Sequence, residues 1–193
     1  MRFLSVYRMA ATRPVPVIIV AAYWLLPIRP AVGVLVAGTI LAVAGQAMRI
    51  WAAGHIVKDA AIAVTGPFAY TRHPLYLGST VIGIGFCVAS GIWWSYLLIV
   101  AVFGLFYIPT ALYEEQWLRT TYGDLYQRYR AAVPGIGIRM SRYQSSDAGP
   151  TVDPNRVFSW QRMIGNREHY TAVATVLLLA TLWAKLPFAG GGS

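Results

Sequence analysis

The chain has 193 residues, 57% of them hydrophobic and 12% charged, with a formal net charge of +9 and a mean hydropathy of +0.53. That apolar excess argues against a soluble domain and for an integral membrane protein. One cysteine, Cys87, excludes an intrachain disulfide or a thiolate metal cluster, and His55, His73 and His169 lack metal-ligand spacing, so no metal is expected.

Five apolar segments follow in chain order, each bounded by proline, glycine or charge. The first is PVPVIIVAAYWLLPI, 14 to 28. Arg2, Arg8 and Arg13 precede it as in a secretory signal, but no small-x-small cleavage site follows, so it is expected to stay as one arm of a helical hairpin closed by Pro27-Ile28-Arg29-Pro30. The second, 31 to 53, carries Gly33, Ala37, Gly38, Ala42 and Gly45 at spacings that let another helix approach closely. The third, 74 to 90, has Gly78, Gly83 and Gly85; the fourth runs from 92 to 113 and the fifth from 170 to 186. Pro109 is expected to bend the fourth and free a backbone carbonyl. After Tyr122-Gly123, a helix stop, Asp124 caps a short interfacial amphipathic helix in which Leu125, Tyr126, Tyr129 and Val133 share a face, with Arg128 and Arg130 turned away.

The expected fold is therefore all-α: a polytopic membrane bundle of about five transmembrane helices plus that interfacial helix. It forms a single domain over 1–188, with a motif-bearing core at about 45–138, an extension with the fifth helix at 139–188, and a flexible tail or linker at 189–193. With the N-terminus cytoplasmic, Arg29 and Lys185 lie outside and the other fourteen of the sixteen basic residues inside. An anionic membrane leaflet explains the positive charge without nucleic acid. The expected location is the inner or plasma membrane of a prokaryote, with the functional site on the cytoplasmic face.

That face receives two polar clusters. One is TGPFAYTRHPLYLG, 65 to 78. Gly66-Pro67 marks a turn, and Pro74 suits a first helical position, so the helix N-terminus presents free N–H groups beside Arg72 and His73, a setting for a carboxylate or phosphate. The other is LYEEQWLRTTYGDLYQRYRAAVP, 112 to 134, where Glu114 and Glu115 point roughly 100° apart, so at most one faces a given pocket. Two carboxylates beside hydrocarbon are costly unless they meet cations, a ligand or water. With Tyr76 nearby, a ligand bearing both charge signs and a flat aromatic part fits both clusters.

At these residues the chain resembles the isoprenylcysteine carboxyl methyltransferases and the related phospholipid N-methyltransferases. One family pattern matches Gly66, Phe68, Arg72, His73, Pro74, Tyr76 and Gly78; the second matches Glu114, Glu115, Leu118, Tyr122, Gly123, Tyr126, Tyr129, Val133 and Pro134. The resemblance implies S-adenosylmethionine as cofactor and an in-line methyl transfer to a lipophilic acceptor, a small molecule or a prenylated or lipid one, drawn from the bilayer. It implies cofactor-binding roles for Phe68, Arg72, His73, Pro74, Tyr76, Gly78, Glu114, Glu115, Tyr126 and Tyr129: Arg72 and His73 at the polar end, Phe68 and Tyr76 lining the cavity, Glu114 at the ammonium or ribose. No catalytic residue is assigned.

Three departures bear on the acceptor. Thr110 stands where the family often has an arginine, 54 to 64 lacks the polar residues often found there, and the chain continues beyond Pro134 into the fifth segment. Within the extension, Trp160, Arg162 and Arg167 read as interfacial anchors rather than a substrate lid. The alternatives are a nicotinamide-dependent sterol-type membrane reductase, against which Glu114-Glu115 speaks, and a non-catalytic membrane scaffold of the same fold.

Overall fold

A computed structural model of the protein describes residues 14–27, 30–57, 62–144 and 157–186. Arg2, Arg8, Arg13, the Ile28-Arg29 link and the tail from 189 lie outside the described residues. Among those described there is no strand. Six helices occur: α1 (Pro14–Leu25), α2 (Val32–Ala53), α3 (Pro74–Ser90), α4 (Ser95–Ala132), α5 (Trp160–Gly165) and α6 (Glu168–Ala184), with a 3-10 turn at Gly66–Ala69.

The helix count departs from five spans plus one interfacial helix. Two of the described helices, α2 and α4, are long and apolar enough to cross a membrane. The 17 residues of α3 and of α6 reach only about 26 Å at about 1.5 Å per residue, short of a hydrocarbon core of about 30 Å, and the 12 of α1 reach less. The interfacial helix is not separate either. At Gly123 the backbone takes φ 52 and ψ −128, so the expected stop is a kink across which α4 resumes. Upstream, Pro109 has no N–H for the carbonyl one turn back. The hydrogen-bond register slips there into a π-helical turn, Phe103–Tyr107.

The described residues form two compact units. The first comprises the described parts of Met1–Gln46, Ser79–Thr110 and Thr171–Ser193. Its core is apolar, with Ile19, Leu35, Phe86, Cys87 and Leu182 fully buried. Of the small residues expected to admit a neighbouring helix, Gly38 and Gly85 do so: a Cβ on Gly38 would strike the backbone of Ala89 and Gly85, and one on Gly85 the backbone of Ala42. A Cβ on Gly33 would meet nothing within 4 Å among the described residues. Polar side chains here bond locally or across the helices: Thr175 donates to Gln46 Oε1 at 3.2 Å and Trp183 to Thr39 Oγ1 at 3.0 Å. Lys185 donates to the carbonyls of Tyr23 and Leu26, neutralising the negative end of α1.

The second unit comprises the described parts of Ala47–Gly78 and Ala111–Tyr170. Ile62, Val64, Tyr126, Tyr129 and Val133 form its core. Its extension does what a helix C-terminus requires, since the last carbonyls of α2 have no partner within the helix. Asn166 Nδ2 donates to the carbonyls of Ala53 at 2.8 Å and Ile56 at 3.2 Å, and Ser159 N donates to that of Gly54 at 3.2 Å. Glu168 forms a bidentate pair with Arg49, at 2.7 and 2.9 Å. The unexpected helix α5 lies within this cap; its Ser159 N-cap accepts from Arg162 N. Trp160 is exposed and Arg162 donates to the Val157 carbonyl.

Candidate active site

The apolar stretch of α4 ends near Tyr113. Glu114, Glu115, Arg119, Asp124, Arg128 and Arg130 all fall in its polar second half, within the second unit. Pro74 starts α3, and the residues before it form an extended turn pinned by backbone hydrogen bonds: Arg72 N donates to the Pro134 carbonyl at 2.9 Å, Arg139 N to that of Tyr70 at 2.8 Å and Tyr143 N to that of Ala69 at 3.0 Å. Tyr129 Oη donates to the Phe68 carbonyl at 2.7 Å. These bonds lock the turn from 66 to 73 against the C-terminal end of α4.

The two polar clusters meet at Glu115. One of its oxygens, Oε1, lies 3.1 Å from Arg72 Nη2 and 3.1 Å from His73 Nε2; the other, Oε2, accepts from Arg130 Nε at 3.1 Å. Glu115 is buried, 8% exposed. Burial by itself would raise its carboxyl, but the His73 hydrogen bond and the Arg72 and Arg130 charges outweigh it and hold the carboxyl below the usual carboxylate range. Sequence reasoning left open which glutamate would face the basic turn and gave the ligand contact to Glu114. The structure turns Glu115 inward. Arg130, expected to turn away, reaches back to it.

Of the remaining expected residues, Tyr126 and Tyr129 lie close enough to feel the Glu115 and Arg72 charges. The His73 and Tyr76 rings lie 5.5 Å apart, Pro74, Tyr76 and Gly78 are buried, and Phe68 and Glu114 are half-buried. Tyr126 and Tyr129 are buried, their rings 6.1 Å apart. Burial, reinforced by the Glu115 charge, pushes the Tyr126 hydroxyl up to about 12, and burial raises Tyr129 as well. Thr110, in the other unit, spends its hydroxyl on the Phe106 carbonyl at 2.6 Å.

Several donors here are left over. Arg72 Nε and Nη1 and the Tyr126 hydroxyl are buried beside one another, and none makes a hydrogen bond of regular geometry among the described residues. Each such group costs about 1–3 kcal/mol. A groove of about 350 Å³ opens beside them, lined by Arg72, Arg119, Gln127, Arg130 and Ala131. That volume is within the range of small-molecule sites, about 300–1,000 Å³. Of the ten residues implied to bind the cofactor, Arg72 borders this groove. Arg130 was expected to turn away and Arg119 and Gln127 carry no sequence signal; their convergence depends on the Gly123 kink, which residue spacing does not reveal.

The chain belongs to the phospholipid methyltransferase family, whose model matches residues 28–125. It is also 34% identical over 91 residues to the protein-S-isoprenylcysteine O-methyltransferase of Schizosaccharomyces pombe, a match covering 47% of this chain and 39% of that protein. The family resemblance seen in the motifs is thereby established. That relative comes from a yeast and lends nothing to a prokaryotic location. No solved structure matches the chain.

Proposed function

We propose that the protein is an integral membrane methyltransferase that uses S-adenosylmethionine to methylate a lipophilic acceptor at a carboxylate, thiol or amine. The observation that carries this reading is the direct meeting of the two motifs, Arg72 and His73 with Glu115, in a chain of a methyltransferase family. Membrane insertion is supported by surface chemistry. The most apolar stretch of α4 has a mean hydropathy of 2.0 and is only 11% buried, a covering that water would oppose and lipid would favour. The basic-residue asymmetry of the sequence supports a site on the cytoplasmic face.

The donor set fits the cofactor. Arg72 Nε and Nη1 suit its carboxylate, the Glu114 carboxylate suits its ammonium, and Tyr76 and Tyr126 supply aromatic surface. Bound there, S-adenosylmethionine would supply a methyl group activated by its sulfonium. The protein's own part is to orient and to exclude water. The turn from 66 to 73, fixed by the Tyr129 and Pro134 hydrogen bonds, holds Arg72 and His73 in place before any ligand arrives. The acceptor needs a lone pair in line with the methyl group, and displacement requires no metal and no covalent enzyme intermediate.

Titration of the purified protein in detergent with S-adenosylmethionine, its demethylated product and a reduced nicotinamide tests the reading. Binding of the first two is expected, and labelled methyl should pass into a lipid or prenyl-peptide extract. Binding of the nicotinamide alone would assign a reductase, and binding of none a scaffold.

A further inference from the structure

We infer that Glu168 is a positioning residue for the methyl-donor site, acting through Arg49 on the first turn of α3. The role of that site rests on the reading proposed above; the linkage itself does not. Glu168 is buried, 5% exposed, at the start of α6, and it lies beyond residues 28–125, the part that the family model matches. Its two oxygens accept from Nε and Nη2 of Arg49 at 2.7 and 2.9 Å. The same guanidinium gives Nη1 to the Leu75 carbonyl at 3.3 Å. One rigid plane therefore ties together the end of α2, the first turn of α3 and the start of α6.

Arg49 sits one turn before the end of an apolar helix, with its side chain 18% exposed. A cation so placed needs a fixed carboxylate, and the bidentate fork also sets the direction of the third nitrogen. Without Glu168 the guanidinium would turn toward water and release the Leu75 carbonyl. Leu75 is the second residue of α3, between Pro74 and Tyr76, and Leu77 N donates to the His73 carbonyl at 3.0 Å. Pro74 has no N–H with which to anchor this turn. Upstream the turn is held by the bond from Arg72 N to the Pro134 carbonyl, and downstream by Arg49. The contact of 3.1 Å between His73 and Glu115 has little slack, since a shift of about 0.5 Å would carry it out of hydrogen-bonding range. Glu168 thus acts on His73 and Tyr76 without touching either ligand or reacting atoms.

The test uses the full-length protein in detergent as wild type, Glu168→Gln, Glu168→Asp and Arg49→Lys, each checked for folding by circular dichroism. Asn166→Ala is the control: it uncaps α2 without removing a partner of the guanidinium. Hydrogen exchange over residues 73–78 is measured without ligand, and S-adenosylmethionine affinity per folded molecule by calorimetry. Exchange at the Leu77 amide should rise about tenfold in Glu168→Gln and Arg49→Lys, with affinity falling about tenfold, the scale of a displacement below about 1 Å at a binding site. Glu168→Asp, which keeps the charge on a shorter arm, should change both less. Arg49→Lys keeps the charge and loses the fork, so its match with Glu168→Gln assigns the effect to geometry. Where Glu168→Gln does not fold, the two milder variants carry the same comparison. Unchanged exchange at 73–78, unchanged affinity in the folded variants, or an Asn166→Ala protein that reproduces both effects overturns the positioning role. A wild type that binds no S-adenosylmethionine while exchange at 73–78 still responds to Glu168 supports the linkage and overturns only the methyltransferase reading.

Discussion

His73 Nε2 and Glu115 Oε1 lie 3.1 Å apart although 42 residues separate them in the chain. The contact joins the turn before α3 to the polar half of α4. It makes Glu115 the hub of a cluster that also holds Arg72 and Arg130.

The hub sets a pH dependence. The Glu115 carboxyl is held below its unfolded value, so its contribution to stability is fully present above the ordinary glutamate range, about 4.3, and is lost as pH falls through the lower folded value. Thermal midpoints measured from pH 6 to pH 3 should fall for wild type and fall less steeply for Glu115→Gln. At pH 7 that variant should lose about 3 kcal/mol, the scale for breaking a buried ion pair. Parallel pH profiles would remove Glu115 from this role.

Gly123 should resist substitution for a backbone reason alone. A Cβ there would meet no neighbour, but φ 52 with ψ −128 is a conformation that other residues adopt at a cost of about 1–3 kcal/mol. Gly123→Ala should lose that much in denaturant unfolding. An unchanged midpoint would show that α4 does not need this kink.

Tyr126 offers a trade between stability and binding. Its hydroxyl is buried beside Arg72 and makes no hydrogen bond of regular geometry among the described residues, so Tyr126→Phe should gain about 1 kcal/mol in thermal unfolding while weakening S-adenosylmethionine binding. A loss of stability would mean that the hydroxyl is satisfied in the folded protein.

The extension is predicted to act as a cap. Removing the Asn166 amide leaves two carbonyls at the end of α2 without that donor, so Asn166→Ala should cost about 1–2 kcal/mol and expose residues near 54 to 57 to limited proteolysis. Wild-type resistance would assign the capping to Ser159 and the Arg49–Glu168 pair alone.

Much of this arrangement was legible in the residues, and what was not has physical reasons. Apolar runs locate α1 to α4 and α6 because burial in lipid or core demands them, and Pro74 and Pro109 mark a helix start and a register slip because proline lacks an N–H. Gly123 was read as a stop; a glycine permits either a stop or a kink, and the packing of Tyr126, Tyr129 and Val133 decides for the kink. Neighbouring glutamates look alike in a sequence, and only helical phase relative to the turn selects Glu115 over Glu114. The Arg49–Glu168 pair spans 119 residues and leaves no local trace, although Ser159 ahead of α5 was an available N-cap signal.

Calorimetric titration of S-adenosylmethionine into the purified protein in detergent, for wild type and Arg72→Ala, tests the central claim most directly. The predicted result is saturable binding by wild type and a loss of about tenfold to a hundredfold in the variant, the scale of charge-assisted hydrogen bonds. A wild type that does not bind, or a folded Arg72→Ala variant that binds equally well, would contradict the placement of the methyl donor at the Arg72–His73–Glu115 cluster.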